Sequence, residues 1–380
     1  MSATSLPRIA LICPGLGEVQ RGFERFFGDL FVRLQAEVDV TLFRGGREPS
    51  ARERTPFFLR RNGRLLRWVP LHRLIRRTPM HAECLSLALS VLPALARERY
   101  DVVHVIDPPL ARLLYHLRET FDLPFRLLFS EGTAMPPGDY PPADATLHMS
   151  QSTYDRAIAW GHPRERSHLL PCGIWSERFS TGAGREALRR RHHIPESTFV
   201  VLCVAALNRG HKRVDHLVAE FSRLQGDCLL WLDGSLDHGD PGLRAEAERR
   251  LGSRVRVTHV PSAQVAELYR MADVKVLPSL FEAFGLAAVE AMAAGTPVLV
   301  HDCPHFRWLL GDPGNLVDMA TPGRLSARLE HLRGEPEPRA ALRHPERIRE
   351  KLDWNVLGSA YIDFYRRVAA LPALRRRSLR

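Results

Sequence analysis

Short apolar runs alternate with amphipathic segments along most of the chain, and this alternation limits the possible folds more than any other feature. The series opens with the run Arg8–Cys13, a glycine-bearing loop at Pro14–Gly22 and a helical face that begins at Phe23. Continuous Val, Leu and Ile runs separated by amphipathic helices are typical of parallel strands that helices cover on both faces. The pattern therefore predicts an α/β fold built on parallel sheets.

The apolar runs fall into two groups. The first continues with Val38–Phe43, Val102–Ile106 and Phe125–Phe129, and the second contains Phe199–Leu207, Cys228–Asp233, Arg254–Val260, Val274–Leu277 and Val298–Val300. The polar, Arg-rich stretch 176–197 separates them, and we predict it to be a linker. A chain of 380 residues suits two domains. Two doubly wound domains facing each other would place the loops at the carboxyl ends of their strands around one central cleft.

Composition excludes several classes of protein. The chain has 45% hydrophobic and 26% charged residues, as ordinary globular proteins do. Met1–Pro7 lacks the features of a secretory signal, and no apolar run reaches the roughly 18–20 residues of a membrane span, so we predict a cytoplasmic protein. The six cysteines form no CxxC pair and the 17 histidines no HExxH motif, so we predict no metal site and no cofactor. The net charge of +11 indicates anionic partners, or an Arg-rich composition with no function attached.

The stretch "SLFEAFGLAAVEAMAAGTPVLVHD", Ser279–Asp302, carries two acids around a loop that leads into a helix. The first turn of a helix offers unpaired N–H groups and the positive end of a dipole, which together suit a phosphate. Ionised Glu282 and Glu290 only accept hydrogen bonds, and the hydroxyls of a sugar or ribose are natural donors to them. This combination indicates a nucleotide-sugar pocket. The alternative is that Glu282 caps the helix and Glu290 is a solvated surface residue.

A basic cluster in "VAALNRGHKRVDHLVAEFSRL", Val204–Leu224, precedes a second helix. Arg209, His211, Lys212 and Arg213 crowd the helix N-terminus, where cations are disfavoured by roughly 0.3–1 kcal/mol each. A bound diphosphate would account for the cluster. The alternative is a set of exposed basic residues without a ligand.

The segment "PSLFEAFGLAAVEAMAAGTPV" resembles the E-x7-E signature of retaining glycosyltransferases of family 4, which have the GT-B fold of two Rossmann-like domains facing a central cleft. Other segments resemble the family in the same order, among them "RGFERFFGDLFVRL", "LLPCGIWSERF", "HKRVDHLV" and "DWNVLGSAYIDFYRRV". The resemblance implies an acceptor-binding domain at 1–175 and a donor-binding domain at 198–352. It also implies a C-terminal helix within 353–380 that crosses back onto the first domain.

The resemblance further implies roles for individual residues in binding the donor. Glu290 would hold the ribose hydroxyls, Glu282 the donor sugar, and Lys212 the diphosphate. The remaining expected donor contacts are the backbone amides of Phe284, Gly285 and Leu286, Val260 near the nucleobase, and the close backbone approach of Gly17 and Gly22. The implied reaction keeps the anomeric configuration of the donor, and Lys212 with helix N-termini would stabilise the leaving group without a metal ion.

Three departures from the family pattern concern catalysis. Ala205-Ala206 stands where the family often has Gly-Arg, and Arg209 is the candidate that replaces the missing cation. Arg21 replaces a glycine of the first loop. Glu131 stands where many members have a catalytic histidine, and His104 is the nearest histidine candidate, with a structural role as the alternative.

The expected partners are a nucleotide-diphosphate sugar and a sugar, glycolipid or small-molecule acceptor, with no nucleic acid. Two other functions remain open at this point, a nucleotide-sugar 2-epimerase and a non-catalytic basic protein that binds nucleic acid. The stretch Phe57–His81 mixes Arg with Leu, Trp and Phe and lacks acids. It predicts either peripheral contact with an anionic membrane at its inner face, or a basic surface that faces solvent or substrate.

Overall fold

A computed structural model describes residues 6–18, 22–46, 49–61, 63, 78–132, 135–235, 240–335 and 344–375. The chain divides into two compact units, one formed by Met1–Gly173 with Trp354–Arg380 and the other by Ile174–Asp353. In the described residues each unit is built on one parallel sheet with helices packed on it. The α/β class predicted from the apolar runs is confirmed.

The sheet of the first unit has the order β3-β2-β1-β4-β5-β6-β7 across its described strands, all parallel. Its central strand β1 pairs with β2 and β4, with Ile9 opposite both Val40 and Val102. The strands are β1 (Ile9–Cys13), β2 (Val40–Arg44), β3 (Glu53–Arg54), β4 (Val102–Val105), β5 (Arg126–Glu131), β6 (Ala145–His148) and β7 (Ser167–Leu169). The central strands are buried along their length, as expected for a sheet covered on both faces.

Helices follow the strands of this unit: α1 (Gly22–Leu34), α2 (Pro79–Glu98), α3 (Pro108–Thr120) and α4 (Gln151–Ala159). Helix α2 is long and apolar enough to cross a membrane by length and composition, although the sequence shows no uninterrupted apolar run of that length. Its residues Cys84, Leu87 and Val91 are nevertheless buried in the core of the first unit. In this structure one face of α2 packs into that core, and Leu85 and Leu89 are exposed.

The sheet of the second unit has the order β10-β9-β8-β11-β12-β13 across its described strands, again parallel. The order reverses at β8, and the loops that follow β8 and β11 therefore leave from neighbouring strands at the carboxyl edge, where open α/β sheets bind ligands. The strands are β8 (Phe199–Val204), β9 (Cys228–Asp233), β10 (Val255–Thr258), β11 (Val274–Leu277), β12 (Val298–His301) and β13 (Leu316–Val317).

The helices of the second unit are α5 (Glu177–Ser180), α6 (Arg185–Arg191), α7 (Val214–Phe221), α8 (Pro241–Leu251), α9 (Val265–Met271), α10 (Leu286–Ala293), α11 (Pro304–Leu310), α12 (Arg324–Gly334) and α13 (Pro345–Leu352). Residues 176–197, predicted as a linker, contain α5 and α6, which pack on α9 of this unit. Fully buried Arg189 of α6 donates to Asp273 Oδ2 at 2.6 Å, just before β11. Arg-rich composition here reflects buried ion pairing as well as exposed charge.

The last helix, α14 (Trp354–Ala370), belongs to the first unit. Its Trp354 is fully buried and stacks on Phe26 of α1 with ring centroids 6.1 Å apart. Tyr361 donates from its hydroxyl to the carbonyl of Pro171 at 2.9 Å. The helix is therefore held by contacts with both ends of the first segment of that unit, a ring contact to Phe26 and a hydrogen bond to the backbone of Pro171.

Candidate functional site

The loop between β11 and α10 places the two acids of the E-x7-E segment. The loop ends at Gly285, which lies in the left-handed region with φ 85° and precedes the first residue of α10. A Cβ at Gly285 would lie 3.1 Å from the ring of Phe306, so both the backbone angle and the space favour glycine. The carbonyl of Gly285 accepts from the amide of Ala288 at 2.8 Å, so the N–H groups that the first turn of α10 leaves without a helical partner are those at its very start, at the carboxyl edge of the sheet.

Glu282, which the sequence assigns to the donor sugar, forms an ion pair with Lys212, which the sequence assigns to the diphosphate. Lys212 Nζ lies 2.6 Å from Glu282 Oε1 and 2.9 Å from Oε2. The side chain of Glu282 is 7% exposed and that of Lys212 is 20% exposed. Burial raises the pKa of Glu282, but the ammonium of Lys212 and its hydrogen bonds outweigh burial and hold the pKa below its ordinary value. Glu282 is thus an ionised carboxylate paired with the ammonium of Lys212, and His211 Nε2 lies 4.0 Å from its Oε1.

The basic loop before α7 holds Lys212 in place through its backbone. The amide of Lys212 donates to Asn208 Oδ1 at 2.9 Å. Arg213 has φ 47° at the N-cap of α7 and donates to the carbonyl of Met319 at 2.8 Å. His211 Nε2 lies 2.7 Å from the carbonyl of Phe281, which joins this loop to the loop that carries Glu282. The two loops are thus joined by a hydrogen bond. The alternative of exposed basic residues without a ligand would not require such a connection.

Glu290 lies inside the unit, four per cent exposed, on the first turns of α10. Its Oε2 accepts a hydrogen bond from the hydroxyl of Tyr269 on α9 at 3.0 Å. The alternative of a solvated surface residue is therefore wrong. Its assignment to ribose hydroxyls stays a prediction, and Tyr269 is a partner that the sequence did not indicate.

The other donor-side residues of the second unit lie at the same sheet edge. The amide of Val260 donates to Asp233 Oδ1 at 2.9 Å, and burial raises the pKa of Asp233. Phe284 is buried, and its carbonyl accepts from His305 Nε2 at 2.9 Å. Leu286 is the first residue of α10, so its amide is among the unpaired donors of that helix.

Arg209 does not stand free as a second phosphate cation. Its guanidinium contacts Asp240 through Nε and Glu246 Oε2 through Nη1 at 2.6 Å. Two carboxylates hold this partly exposed cation in the donor-free protein, and its replacement of the missing arginine stays a prediction. These acids are Asp240 at the N-cap of α8 and Glu246 within α8, more than thirty positions after Arg209 in the sequence.

Glu131 in the first unit is paired with a histidine from the neighbouring strand. Its Oε2 lies 2.6 Å from His148 Nδ1, and Arg156 Nη2 lies 3.3 Å from its Oε1. Both side chains of the Glu131–His148 pair are completely buried. The pairing follows from the register, which sets Glu131 opposite His148 at the carboxyl ends of β5 and β6.

His104, the histidine named as a catalytic candidate, is fully buried in β4. Its Nδ1 lies 2.7 Å from the hydroxyl of Tyr365 and its Nε2 lies 2.5 Å from Ser130 Oγ. Burial lowers the pKa of His104 to about 3, so the ring is neutral at physiological pH. Both ring nitrogens are used and no surface is exposed, which favours the structural alternative.

Gly17 and Gly22 flank the loop after β1. Gly17 has φ 86°, and a Cβ there would overlap the guanidinium of Arg44, so the position requires glycine. Gly22 is the exposed first residue of α1. Arg21 lies outside the described residues, as do residues 62 and 64–77, which make up most of the predicted membrane-contact stretch Phe57–His81.

Comparison with known proteins bears on the second unit first. Residues 198–334 match the family model described as glycosyl transferases group 1. The D-inositol 3-phosphate glycosyltransferase of Nocardiopsis dassonvillei is 34% identical over 223 residues, 54% of this chain and 51% of that protein. The chain spans about half the length of the first curated relatives it matches. The match over residues 198–334 agrees with the family resemblance seen in the E-x7-E segment.

Solved structures extend the likeness of fold to nearly the whole chain. Sucrose-phosphate synthase from Thermosynechococcus elongatus has a TM-score of 0.79 at 21% identity, covering 96% of this chain and 99% of that chain. HepE of Anabaena in complex with UDP and glucose has a TM-score of 0.70 at 15% identity, covering 95% of this chain and 100% of that chain. The predicted GT-B fold is confirmed.

Proposed function

Because residues 198–334 match the family model described as glycosyl transferases group 1, we propose that this protein moves a sugar from a nucleotide-diphosphate sugar to a hydroxyl acceptor. The donor binds at the carboxyl edge of the second sheet, over the loops that follow β8 and β11. The acceptor is a glycan, a glycolipid or a small molecule bound with the help of the first unit.

The ion pair of Lys212 with Glu282 is the observation that carries this proposal. A buried carboxylate and a lysine that is one-fifth exposed lie beside the N-terminus of α10. A diphosphate leaving group carries about two negative charges, and Lys212 can meet it by exchanging one carboxylate oxygen for a phosphate oxygen. Glu282 then accepts hydrogen bonds from hydroxyls of the donor sugar. The same two side chains serve the anion and the sugar.

Charge stabilisation of the leaving group supports a metal-independent reaction that retains the anomeric configuration. Lys212 and the unpaired amides at the start of α10 are fixed donors aimed at the position where charge develops. We assign this work first to them, with Arg209 as a second cation if the donor draws it from Asp240 and Glu246. Nuclear magnetic resonance of the product's anomeric proton checks retention, and full activity in excess chelator checks metal independence.

The structural likeness to HepE indicates which nucleotide to test first as part of the donor. HepE is bound to UDP and glucose, which supports a uridine nucleotide among the donors to be tested first. In this chain the amide of Val260 and the carboxylate of Asp233 lie together at the ends of β10 and β9, where the nucleobase is proposed to bind.

A cytoplasmic location, with contact to the inner face of an anionic membrane through Phe57–His81, belongs to the same proposal. Sedimentation with anionic liposomes at low salt tests that contact.

A panel of nucleotide sugars tested by thermal shift and by donor turnover with and without acceptor sugars tests the function. We expect one donor to raise the melting temperature and to be consumed only when an acceptor is present. Isomerisation of the donor alone would support an epimerase instead. Salt-sensitive retention on DNA without donor binding would support a nucleic-acid-binding protein.

Two substitutions assign the activity to the site. Lys212→Ala and Glu290→Ala are expected to lower transfer at least about 100-fold, since each removes a charged contact worth roughly 3 kcal/mol in the transition state. Lys351→Ala, which removes an exposed lysine on α13, is the matched control and keeps full activity. Full activity in Lys212→Ala or Glu290→Ala would contradict the assignment.

A further inference from the structure

Lysine is rare in this protein and concentrated at the proposed donor site. Of 54 basic residues only three are lysines, Lys212, Lys275 and Lys351, and the rest are arginines. Lys351 is exposed on α13, whereas Lys212 contacts Glu282 and Lys275 lies in β11, the strand that leads to Glu282. Apart from Lys351, these two positions are the only ones in the sequence where a basic side chain is lysine and not arginine. Lysine differs from arginine in that it can lose its proton when it is buried.

Lys275 is a buried cation without a hydrogen bond. It is fully buried, and its Nζ has no hydrogen-bond partner in the part of the chain that the structure describes. Burying an ammonium with no partner destabilises a folded protein, so a contribution to stability does not account for Lys275. The apolar residues around it in "VKVL" would form an uninterrupted strand if position 275 were apolar.

The ionisable groups that act on Lys275 are those of the donor site. They are Cys203 of β8, Glu282 of the loop after β11, Lys212 of the loop before α7, and Glu290 of α10. Burial raises the pKa of Cys203 to about 11, so its thiol is neutral near physiological pH and does not balance the ammonium. The two carboxylates of the E-x7-E segment are therefore the negative charges near Lys275.

We propose that Lys275 is the second counter-ion of Glu282 and neutralises it when Lys212 turns to the diphosphate of the donor. The inference rests on the proposed function, because it needs a donor that draws Lys212 away. In the donor-free protein Lys212 is paired with Glu282, and Lys275 lies near the carboxylates of both Glu282 and Glu290. With donor bound, buried Glu282 would have no lysine near it if Lys275 were absent, and only the ring of His211, 4.0 Å away, would remain beside it. Lys275 is a positioning residue in this scheme, since it acts on Glu282 and does not touch the donor.

The scheme links donor binding to a proton. Burial lowers the pKa of Lys275 from 10.5 to about 8, and the neighbouring carboxylates raise it only in part. When the donor draws Lys212 away, Lys275 loses the repulsion of a neighbouring cation, and Glu282 interacts with Lys275 instead. The pKa of Lys275 therefore rises when the donor binds. By linkage the donor then binds more weakly above pH 8, about tenfold for each pH unit up to the raised pKa.

Stability provides an independent test in the protein without donor. Below pH 8 both the folded and the unfolded protein carry a proton on Lys275, and the folded state bears the whole cost of the buried charge. Between about pH 8 and 10.5 the folded protein releases the proton first, so this cost falls as pH rises. Lys275→Met is therefore expected to raise the melting temperature at pH 7, by an amount that shrinks towards pH 10.5. A lysine needed only for folding would give a lower melting temperature in the variant.

The deciding experiment is calorimetric titration of wild type, Lys275→Met and the control Lys351→Met with UDP-glucose and with GDP-mannose. Measurement at pH 9 in two buffers of different ionisation enthalpy gives the protons taken up. We expect wild type and Lys351→Met to take up a proton with the bound nucleotide sugar, and Lys275→Met to take up none and to bind at least tenfold more weakly at pH 7. Equal proton uptake and affinity in Lys275→Met would overturn this inference and leave the proposed function standing. Failure of the wild type to bind these two and every other member of the nucleotide-sugar panel would overturn the proposed function, and this inference with it.

Discussion

Lys212 and Glu282 stabilise the donor-free protein and must separate in part when a donor binds. Removing one partner of a buried ion pair commonly costs about 3–5 kcal/mol, because the other charge stays buried. The cost is smaller here, about 1–3 kcal/mol, since the side chain of Lys212 is 20% exposed and solvent screens the pair. A donor that offers two phosphate charges to Lys212 and hydroxyls to Glu282 compensates for the lost contact.

Replacement of Glu282 by Gln keeps the shape of the side chain and removes its charge. Because the pKa of folded Glu282 is lowered from 4.5, the carboxylate contributes stability above pH 4.5 that is lost as the pH falls through the lowered value. Glu282→Gln is therefore expected to be less stable than wild type at neutral pH, by about 1–3 kcal/mol. The difference should vanish in acid. Urea unfolding of both proteins at several pH values measures it, and a difference independent of pH would contradict the role of the charge.

At this scale the sequence indicated the acids and the lysine but not their contacts. Glu282, Glu290 and Lys212 were predictable because they lie in short patterned segments next to helix starts. The ion pair, the Tyr269 contact to Glu290 and the acids on Arg209 were not, since each joins segments that only the fold brings together. Lys275 gave a signal that was missed, a single charged residue in an apolar strand.

The junction of β11, its loop and α10 sets the geometry of the proposed donor site. Gly285 ends the loop with φ 85°, and the ring of Phe306 closes the space where a side chain would lie. Gly295, just after α10, also has a positive φ, 74°, but a Cβ at this position would have no neighbouring atom within 4 Å among the described residues. The two glycines thus separate the effect of backbone angle from the effect of crowding.

Gly285→Ala and Gly295→Ala form a matched pair of substitutions. Both force alanine into the left-handed region, which costs about 1–2 kcal/mol. Only Gly285→Ala also displaces Phe306 and the start of α10, so we expect it to weaken donor binding as well, whereas Gly295→Ala leaves donor binding unchanged. Chemical denaturation and donor titration measure the two effects. Equal loss of donor affinity in both variants would show that the helix start is not part of the site.

Elements differ in how well the sequence predicted them. Strands such as Cys228–Asp233 and Val274–Leu277 were predicted with their observed bounds, because central parallel strands are mostly apolar and stand out from their polar flanks. Strands β3, β6, β7 and β13 were not predicted. They have two to four residues and contain polar side chains or lie at sheet edges, so hydrophobic periodicity carries little signal for them.

At the scale of the whole molecule, the second unit has its two ends fastened together. The amide of Ile174 donates to the carbonyl of Leu352 at 2.8 Å, and Ile174 forms a parallel bridge with Asp353. Asp353 also accepts from the amide of Ser176 at 3.0 Å. Chain entry and exit therefore lie side by side, an arrangement typical of units that fold independently.

A fragment containing only residues 174–353 is expected to fold on its own and to bind the donor. Its own parallel sheet and core are complete in the described residues, and the proposed donor contacts all lie within it apart from the predicted approach of Gly17 and Gly22. We expect one cooperative melting transition and a donor dissociation constant within about tenfold of the full chain. Transfer is expected to be lost, because acceptor binding is assigned to the first unit. A fragment that melts without cooperativity would contradict this division of the molecule.

The central claim is that the diphosphate of a nucleotide sugar binds to Lys212 at the carboxyl edge of the second sheet. A crystal structure of the protein with its nucleotide-sugar donor measures this most directly. We predict Lys212 Nζ within about 3.2 Å of a phosphate oxygen, and Glu282 within reach of the donor's hydroxyls. A donor bound elsewhere, with Lys212 still held by both carboxylate oxygens of Glu282, would contradict the account.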